Sequence, residues 1–287
     1  MSKPGPILVL GGQGYIGGAL VKYLGAKEFT VRSVDAAPPR PVLPTSWGWV
    51  RYQDLSAKQL TEYETVVLLA GHSTIAACAA EPVKSFENNV SGFVELIHKL
   101  RGQKFIYASS VSVYVETEGP FGEGADLHQP AEIYDFQKQE IERYAKFIGC
   151  PHTYGLRFGT VCGPAPNMRP TLLNGMVQSA VRDGRVVVAN PNNYRPLLGL
   201  GDLCRAVETI ITGSVVPGVY NLASTNIRIG AVGNFVAHRL GVPVVAGTGT
   251  TPYNIQVMTS RFCREANFEF RDTLESLTDA LTEHFRK

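Results

Sequence analysis

The sequence lacks the paired cysteine spacings that mark zinc sites and disulfide frameworks. Its cysteines are far apart, and none belongs to a C-x-x-C pair; they are Cys78, Cys150, Cys162, Cys204 and Cys263. An odd number of scattered cysteines in a chain of 287 residues favours reduced, buried thiols over disulfides. His72, His128 and His152 also show no mutual metal-ligand spacing, so we expect no metal site.

The sequence also has little excess charge and no long apolar run. Its formal net charge is +2, and no basic stretch is interleaved with aromatic residues, so nucleic acid is not an expected partner. No apolar run approaches the ~20 residues that a membrane-spanning helix needs. The apolar run before the glycine-rich residues 11–18 is too short for the core of a signal peptide. We therefore expect a cytoplasmic protein with neither a membrane nor nucleic acid as its partner.

Short apolar runs alternate with amphipathic stretches through the first half of the chain. The apolar runs are typical of strands and comprise residues 6–11, 29–35, 65–71, 104–110 and 152–158, with a weaker candidate at 47–52. The amphipathic stretches are typical of helices and comprise residues 15–26, 58–63, 82–101 and 133–148. Because such alternation produces βαβ units, we expect an α/β fold with a doubly wound parallel sheet.

A glycine-rich turn directly follows the first predicted strand. In the stretch GGQGYIG, the pattern G-x-x-G-x-x-G places glycines at Gly11, Gly14 and Gly17. Glycines permit a tight turn from strand to helix and let a pyrophosphate approach the backbone, where the helix N-terminus offers free N–H donors. We therefore expect a Rossmann-like dinucleotide site, with Tyr15 and Ile16 of the same turn also binding the cofactor. The alternative is a turn without a ligand.

Asp35 ends the next predicted strand, where a carboxylate can accept hydrogen bonds from an adenosine ribose. The same carboxylate repels a 2′-phosphate, which favours NAD over NADP as the cofactor. Arg32 and Arg40 leave NADP open, because an arginine beside this site can accommodate the phosphate.

The pattern loosens after about Gly163. Turn-rich segments bracket one helix-like stretch at 172–182, and residues 218–224 form a late strand-like run that we expect to complete the sheet. No internal repeat or linker separates an independent domain. We therefore expect residues 1–163 to form the NAD-binding domain and residues 164–287 a smaller C-terminal substrate-binding part interleaved with it.

A tyrosine and a lysine stand four residues apart in the predicted helix at 133–148. Residues at this spacing share one helix face, so the phenol of Tyr134 and the ammonium of Lys138 can meet there. Alone, such a pair is typical of a solvated surface. With the glycine turn and the stretch YASSVSVY at 107–114, it resembles the extended short-chain dehydrogenase/reductase family, in its NAD-dependent nucleotide-sugar epimerase/dehydratase branch.

The resemblance implies a catalytic triad of Ser110, Tyr134 and Lys138. A hydride that leaves or reaches a carbinol carbon requires a proton to be taken from, or given to, the attached oxygen. A phenol, with an ordinary pKa of ~10, needs a neighbouring cation to stabilise its phenolate at neutral pH. Lys138 would supply that charge and hold the nicotinamide ribose, and Ser110 would hydrogen-bond the substrate oxygen. The nicotinamide itself carries out the redox step.

The resemblance also assigns further contacts with the cofactor. These would be Asp54 and Leu55 beside the adenine, Ala70 and Gly71 close to the dinucleotide, and Asn89 near both cofactor and substrate. The alternative for Asn89 and its neighbour Asn88 is helix capping. His72 follows the fourth predicted strand and would touch the substrate or serve a core or surface role.

On the substrate side, the resemblance assigns Ser110, Thr160 and Arg195. Arginine suits a diphosphate because its planar guanidinium pairs with two phosphate oxygens at once. Thr160 stands where the family has an asparagine, and the family's later arginine is absent from residues 248–258. The substrate is therefore expected to be a nucleotide sugar, or a molecule without a diphosphate. The alternative for Arg195 is a loop residue at the surface.

The residues after Ser110 bear on the reaction. Family dehydratases that act across C4 and C6 carry an Asp-Glu pair there, whereas this chain has Val111 and Ser112. We therefore exclude that dehydration and expect an NAD-dependent epimerase or 4-ketoreductase of a nucleotide sugar, with Tyr134 as acid and base. The alternatives are an NAD(P)-dependent dehydrogenase or reductase of a non-nucleotide alcohol or ketone, and a catalytically silent dinucleotide sensor.

Two further expectations concern structure. The family pairs the helices that correspond to residues 82–101 and 133–148 across a two-fold axis, which implies a homodimer built on a four-helix bundle. Arg157, in the stretch LRFGTVCGP, is expected to support the fold.

Overall fold

The computed structural model describes residues 4–36, 47–114, 119–251 and 253–287. The strands in these ranges are β1 Ile7–Leu10, β2 Val31–Asp35, β3 Trp47–Trp49, β4 Thr65–Leu68, β5 Lys104–Ser110, β6 Thr153–Phe158, β7 Thr160–Cys162, β8 Val186–Val188, β9 Tyr194–Gly199, β10 Gly218–Leu222, β11 Thr225–Arg228 and β12 Val244–Ala246.

The α-helices in the same ranges are α1 Tyr15–Ala26, α2 Ala57–Leu60, α3 Ile75–Ala80, α4 Pro82–Phe86, α5 Gly92–Lys99, α6 Ile133–Ile148, α7 Leu172–Asp183, α8 Leu200–Thr212, α9 Ile229–Leu240, α10 Ser260–Glu265 and α11 Leu274–Arg286. A π-helical turn at Glu87–Ser91 joins α4 to α5, and 3₁₀ turns occupy Tyr52–Asp54 and Val111–Tyr114.

Within the described ranges, the central sheet contains seven strands in the order β10-β6-β5-β4-β1-β2-β3. Every neighbouring pair in it is parallel. The strands expected in the first half of the chain are all present, and the late strand expected at 218–224 is β10, which pairs with β6 at the sheet edge. The α/β fold with a doubly wound parallel sheet is thus confirmed.

Helices cover both faces of this sheet because successive strand residues point to opposite sides. In β1, Ile7 and Val9 pack with α1 and α8 on one face, whereas Leu8 and Leu10 pack with α5 and α6 on the other. All four side chains are buried. Burial on both faces explains why β1 reads as a continuous apolar run and not as an alternating one.

The helix boundaries follow local sequence signals. α1 and α6 span the predicted residues, and α6 ends where Gly149 takes a left-handed conformation with a φ of 58°. The helix expected at 82–101 is present, but the π turn interrupts it. The sequence did not indicate α3, which begins where the Thr74 hydroxyl caps the Ala77 N–H group.

A buried ion pair ties α6 to the sheet. Arg157 of β6 donates to the Glu142 carboxylate from Nε at 3.0 and 3.1 Å and from Nη2 at 2.6 Å. The pair also receives a hydrogen bond from Ser109, and Arg157 donates to the Tyr114 hydroxyl. Arg157 therefore has the structural role expected from the sequence, since it holds the helix that carries the predicted acid/base pair.

The chain after β7 forms a smaller part and also completes the central sheet. α7, α9 and α11 pack around β8 in a core of their own, while β10 joins the central sheet and α8 covers it. The division into residues 1–163 and 164–287 stays a prediction. All five cysteines are free. Among the described residues, every helix is too short or too polar to cross a membrane.

Candidate active site

Most predicted site residues meet at the carboxyl ends of the central strands, where ligands bind in doubly wound folds. They line a cleft of about 1320 Å³. This volume exceeds the ~300–1,000 Å³ of typical small-molecule pockets, so a dinucleotide and a second ligand can fit together. The predicted residues that line the cleft are Gly11, Gly14, Tyr15, Ile16, Gly17, Asp35, Asp54, Ala70, Gly71, Asn89, Ser110, Tyr134 and Lys138.

The glycine turn forms a cradle that side chains would fill. Gly11 has a φ of +95°, and a Cβ atom there would lie 2.5 Å from the Ala70 nitrogen. A Cβ atom at Gly17 would overlap the Gly11 carbonyl oxygen. α1 starts at Tyr15 without a side-chain cap on its free N–H groups. These groups and the open backbone fit a pyrophosphate, so the residues present suit the dinucleotide.

Asp35 lies at the end of β2, next to the same turn. Its Oδ2 accepts a hydrogen bond from the Gln13 N–H at 2.9 Å, which orients the carboxylate in the cleft. Arg32 donates to the Tyr63 hydroxyl at 3.3 Å and does not line the cleft, and Arg40 lies outside the described residues. The geometry near Asp35 therefore favours a ribose hydroxyl over a 2′-phosphate.

The catalytic candidates come from two neighbouring elements. Ser110 ends β5, and Tyr134 and Lys138 occupy the first turns of α6. The Tyr134 hydroxyl is hydrogen-bonded to Ser110. Lys138 Nζ donates to the Ala108 carbonyl at 2.7 Å and lies 5.6 Å from the centre of the Tyr134 ring. The three side chains thus form one group at the wall of the cleft.

The protonation of this group differs from the sequence expectation. Burial raises the pKa of Tyr134 to about 12 and lowers the pKa of Lys138 to about 8. Desolvation of the phenolate therefore outweighs the stabilisation expected from the lysine. At neutral pH, Tyr134 is a neutral phenol and Lys138 is largely protonated.

Asn89 positions the loop that follows β4. Its Oδ1 accepts the His72 N–H at 2.8 Å, and its Nδ2 donates to the His72 carbonyl at 2.9 Å and to Gln137 at 2.7 Å. Asn88 accepts a hydrogen bond from Gln53 at 2.7 Å. Both asparagines lie inside the π turn, so the alternative of helix capping is wrong. π turns often occur at functional sites.

Three predicted residues lie outside the cleft lining. Leu55 is buried in the core beneath α5, and Thr160 begins β7. Arg195 on β9 donates to the Tyr253 carbonyl and, at 2.8 Å, to the Thr251 hydroxyl. The guanidinium thus donates its hydrogen bonds within the protein, and this geometry does not support the expected contact with a diphosphate.

Arg169 is a cleft residue that the sequence did not reveal. Its guanidinium donates to Ser73 at 2.7 Å, lines the cleft and acts to lower the pKa of Tyr134. Its contact with Ser73 joins positions 96 residues apart, so no local pattern could have shown it. His72 also lines the cleft, with Nε2 3.6 Å from Glu81. The described residues contain no cluster that could hold a metal ion.

Residues 7–223 match the family described as "NAD dependent epimerase/dehydratase family". The chain belongs to this family. The expected membership of the extended short-chain dehydrogenase/reductases, and NAD as the cofactor, are thereby confirmed.

Curated relatives include UDP-glucose 4-epimerases. That of Halalkalibacterium halodurans is 28% identical over 179 residues, which are 57% of this chain and 53% of the relative. That of Streptococcus mutans is 28% identical over 166 residues, 53% of this chain and 49% of the relative. The chain thus matches about half the length of these curated relatives.

Solved structures show the same fold over nearly the whole chain. MoeE5 in complex with UDP-glucuronic acid and NAD has a TM-score of 0.87 at 22% identity, covering 98% of this chain and 99% of that one. The UDP-glucose 4-epimerase of Thermus thermophilus in complex with NAD has a TM-score of 0.83 at 21% identity, with the same coverage. At these identities the likeness shows the fold alone.

Proposed function

We propose that the protein oxidises and reduces one carbon of a nucleotide sugar with NAD, as a 4-epimerase or a 4-ketoreductase. The observation that carries the proposal is that Ser110, Tyr134 and Lys138 meet in the cleft that also holds the glycine turn and Asp35. A sensor of dinucleotides would need the turn and Asp35 but not the three catalytic side chains.

Each side chain has a distinct role in this proposal. Tyr134 exchanges a proton with the substrate oxygen, because the residue lines the cleft and is hydrogen-bonded to Ser110. Ser110 orients that oxygen. Lys138, held by the Ala108 carbonyl, binds ribose hydroxyls and contributes positive charge. Bound NAD supplies the acceptor and donor of hydride.

Arg169 is the proposed contact for an anionic group of the substrate. It is a cation on the cleft wall, whereas the side chain of Arg195 bonds to the chain elsewhere. The relatives named UDP-glucose 4-epimerases and the structure with UDP-glucuronic acid make a nucleotide sugar the first candidate. The position of Arg195 favours the second candidate, a smaller alcohol or ketone without a diphosphate.

The reaction is tested by analysis of the purified protein. Mass spectrometry would show whether NAD stays bound, and UDP-glucose and UDP-glucuronic acid would then be added without further cofactor. An epimerase keeps its NAD and interconverts 4-epimers, whereas a reductase needs added NADH and a keto substrate. If neither UDP-sugar reduces bound NAD or changes configuration, the nucleotide-sugar proposal fails and the smaller substrates take its place.

We also propose a homodimer through the face formed by α4 and α6. Val83, Phe86, Phe136 and Phe147 on this face are exposed, at 70%, 40%, 39% and 87%. The rings of Phe86 and Phe136 stack with their centres 6.5 Å apart, so they form a continuous apolar surface. Such a surface suits an isologous contact with a second copy of the chain. A cytoplasmic location is part of the same proposal, since the cysteines are free.

A further inference from the structure

Residues 163–171, between β7 and α7, form a strap that is hydrogen-bonded to both walls of the cleft. Asn167 of the strap donates from Nδ2 to the Gln13 carbonyl in the glycine turn. Arg169 donates from Nη1 to Ser73 Oγ at 2.7 Å, in the loop after β4. Gln13, Ser73 and Arg169 all line the cleft. Because β1 and β4 are neighbouring strands, the strap crosses the cleft between the glycine turn and the β4 loop.

Asn174, in the first turn of α7, anchors the strap to the helix that follows the glycine turn. Its side chain is fully buried, and its Oδ1 accepts the Gly163 N–H at 3.0 Å. Its Nδ2 donates to the Arg169 carbonyl at 2.9 Å and to the Tyr15 hydroxyl at 3.1 Å. The Tyr15 hydroxyl donates in turn to the Gly163 carbonyl at 2.7 Å. The amide thus uses both of its donors and its oxygen to tie the strap to the first residue of α1.

The sequence of the strap makes it stiff. Pro164, Pro166 and Pro170 fix their own φ angles, and each proline ring also restricts the residue before it. Ala165 is buried in the core that contains residues of α1 and α8, and Met168 packs against that core. A segment with so few alternative conformations opens as one unit, so the loss of one attachment loosens the whole strap.

We propose that the strap keeps NAD in the cleft through the catalytic cycle, which assigns the protein as an epimerase with a resident cofactor and not as a reductase that exchanges it. Asn174 and Ser73 are positioning residues in this account, because they hold the strap in place. The epimerase assignment rests on the proposed function, whereas retention of NAD by the strap requires no particular substrate.

Retention of NAD separates the two reactions because they treat the cofactor differently. An epimerase removes hydride from one carbon and returns it to the same carbon, so the cofactor ends each cycle in its starting form. A reductase consumes NADH and has to exchange NAD for NADH in every turnover. Release is therefore faster than turnover in a reductase and can be far slower in an epimerase. A strap bonded to both walls slows release, since its hydrogen bonds have to break before that part of the cleft opens.

Holding the strap is compatible with the proposed role of Arg169 in substrate binding. The contact with Ser73 involves one nitrogen of the guanidinium, and a guanidinium has five N–H donors in all. Arg169 can therefore keep the strap in place and also pair with an anionic group of the substrate.

The first experiment measures how fast the cofactor leaves and needs no substrate. Protein loaded with NADH is mixed with excess NAD, and the loss of bound-NADH fluorescence gives the release rate. Ser73→Ala should release NADH about tenfold faster than wild type, because a factor of ten corresponds to about 1.4 kcal/mol, near the low end for one hydrogen bond to a charged group. Ser73→Thr keeps the hydroxyl and should restore slow release. A wild-type rate in Ser73→Ala would overturn the proposal.

A second pair of variants separates the strap from a general loss of stability. Asn174→Ala should speed release more than Ser73→Ala, because it removes three hydrogen bonds at once. Asn221→Ala is the matched control, since Asn221 is also fully buried and donates to the carbonyls of Phe121 and Met258, outside the cleft lining. It should release NADH like wild type, and equal acceleration in both variants would overturn the role of Asn174. Where Asn174→Ala does not fold, the Ser73 variants decide.

The second experiment compares release with turnover of UDP-glucose and UDP-glucuronic acid. The wild type should convert 4-epimers through many turnovers without added NAD, and Ser73→Ala should lose activity on dilution and regain it when NAD is added. Release from the wild type that is faster than its turnover would overturn the epimerase assignment. If neither sugar is converted but Ser73→Ala still releases NADH faster than wild type, the nucleotide-sugar function fails and the strap stands.

Discussion

Replacing Lys138 by methionine should make the protein more stable while it destroys activity. Lys138 is largely buried and still charged at neutral pH, because its pKa lies at about 8 against an ordinary 10.5. At ~1.36 kcal/mol per pKa unit, the charge costs the folded state at most about 3.4 kcal/mol. The hydrogen bond to the Ala108 carbonyl returns about 1 kcal/mol of this, and partial solvent contact reduces it further. We therefore expect Lys138→Met to raise the free energy of unfolding by about 1 to 2 kcal/mol at pH 7.

The pH dependence of stability provides a second test of whether charged Lys138 destabilises the folded protein. The folded-state pKa of Lys138 is depressed, so above pH 8 the folded protein releases a proton that the unfolded chain still binds. Stability of the wild type should therefore rise between pH 8 and 10 relative to the variant, and the two curves should converge. Tyr134 lowers the stability with rising pH only above pH 10, because its pKa is raised from 10.0 to about 12 in the folded state. This effect is the same in both proteins.

The assay is urea unfolding of the wild type, Lys138→Met and Lys146→Met from pH 7 to 10. Lys146 lies on the same helix but is exposed, so its replacement should change stability by no more than about 0.5 kcal/mol. A Lys138→Met variant less stable than wild type by about 1 kcal/mol or more would refute the reasoning, because the ammonium would then be a net source of stability.

Three further predictions follow from the cofactor cradle and the surface. NAD should bind at least several-fold tighter than NADP in a fluorescence titration, and equal affinities would show that Asp35 does not repel the 2′-phosphate. Gly17→Ala should abolish NAD binding. Gly124→Ala, with no atom near the added methyl group, should bind NAD like wild type. NAD binding by Gly17→Ala would contradict the proposal that the glycine turn holds the pyrophosphate. Light scattering should show a dimer at micromolar concentration, and Phe136→Glu should give a monomer with its fold intact; a wild-type monomer would exclude the proposed interface.

The sequence predicted the parts of the structure that local chemistry decides. The bounds of α6, Ile133–Ile148, followed from an amphipathic pattern that ends at Gly149, and the parallel sheet followed from doubly buried runs such as β1. α3 was missed because its sequence, IAACAA, consists almost wholly of small apolar residues and has no polar face.

The candidate site was predictable where it rests on short motifs, and not where distant segments meet. The glycine turn, Asp35 and the Tyr134/Lys138 pair all line the cleft. Arg169 contacts a loop 96 residues away and Arg195 bonds to a segment 58 residues away, so tertiary packing alone decides which of them faces the cleft. The raised pKa of Tyr134 likewise depends on burial that the sequence does not specify.

The most direct test of the proposed function is one single-turnover measurement on Tyr134→Phe. The variant and the wild type are loaded with NAD, mixed with UDP-glucose or UDP-glucuronic acid, and followed by the absorbance of reduced nicotinamide. Because general acid–base groups contribute ~10²–10⁴-fold, we expect the variant to be slower by about that factor while its NAD affinity stays close to that of wild type. A variant that reduces its NAD at the wild-type rate would contradict the central claim and place Tyr134 outside the chemistry.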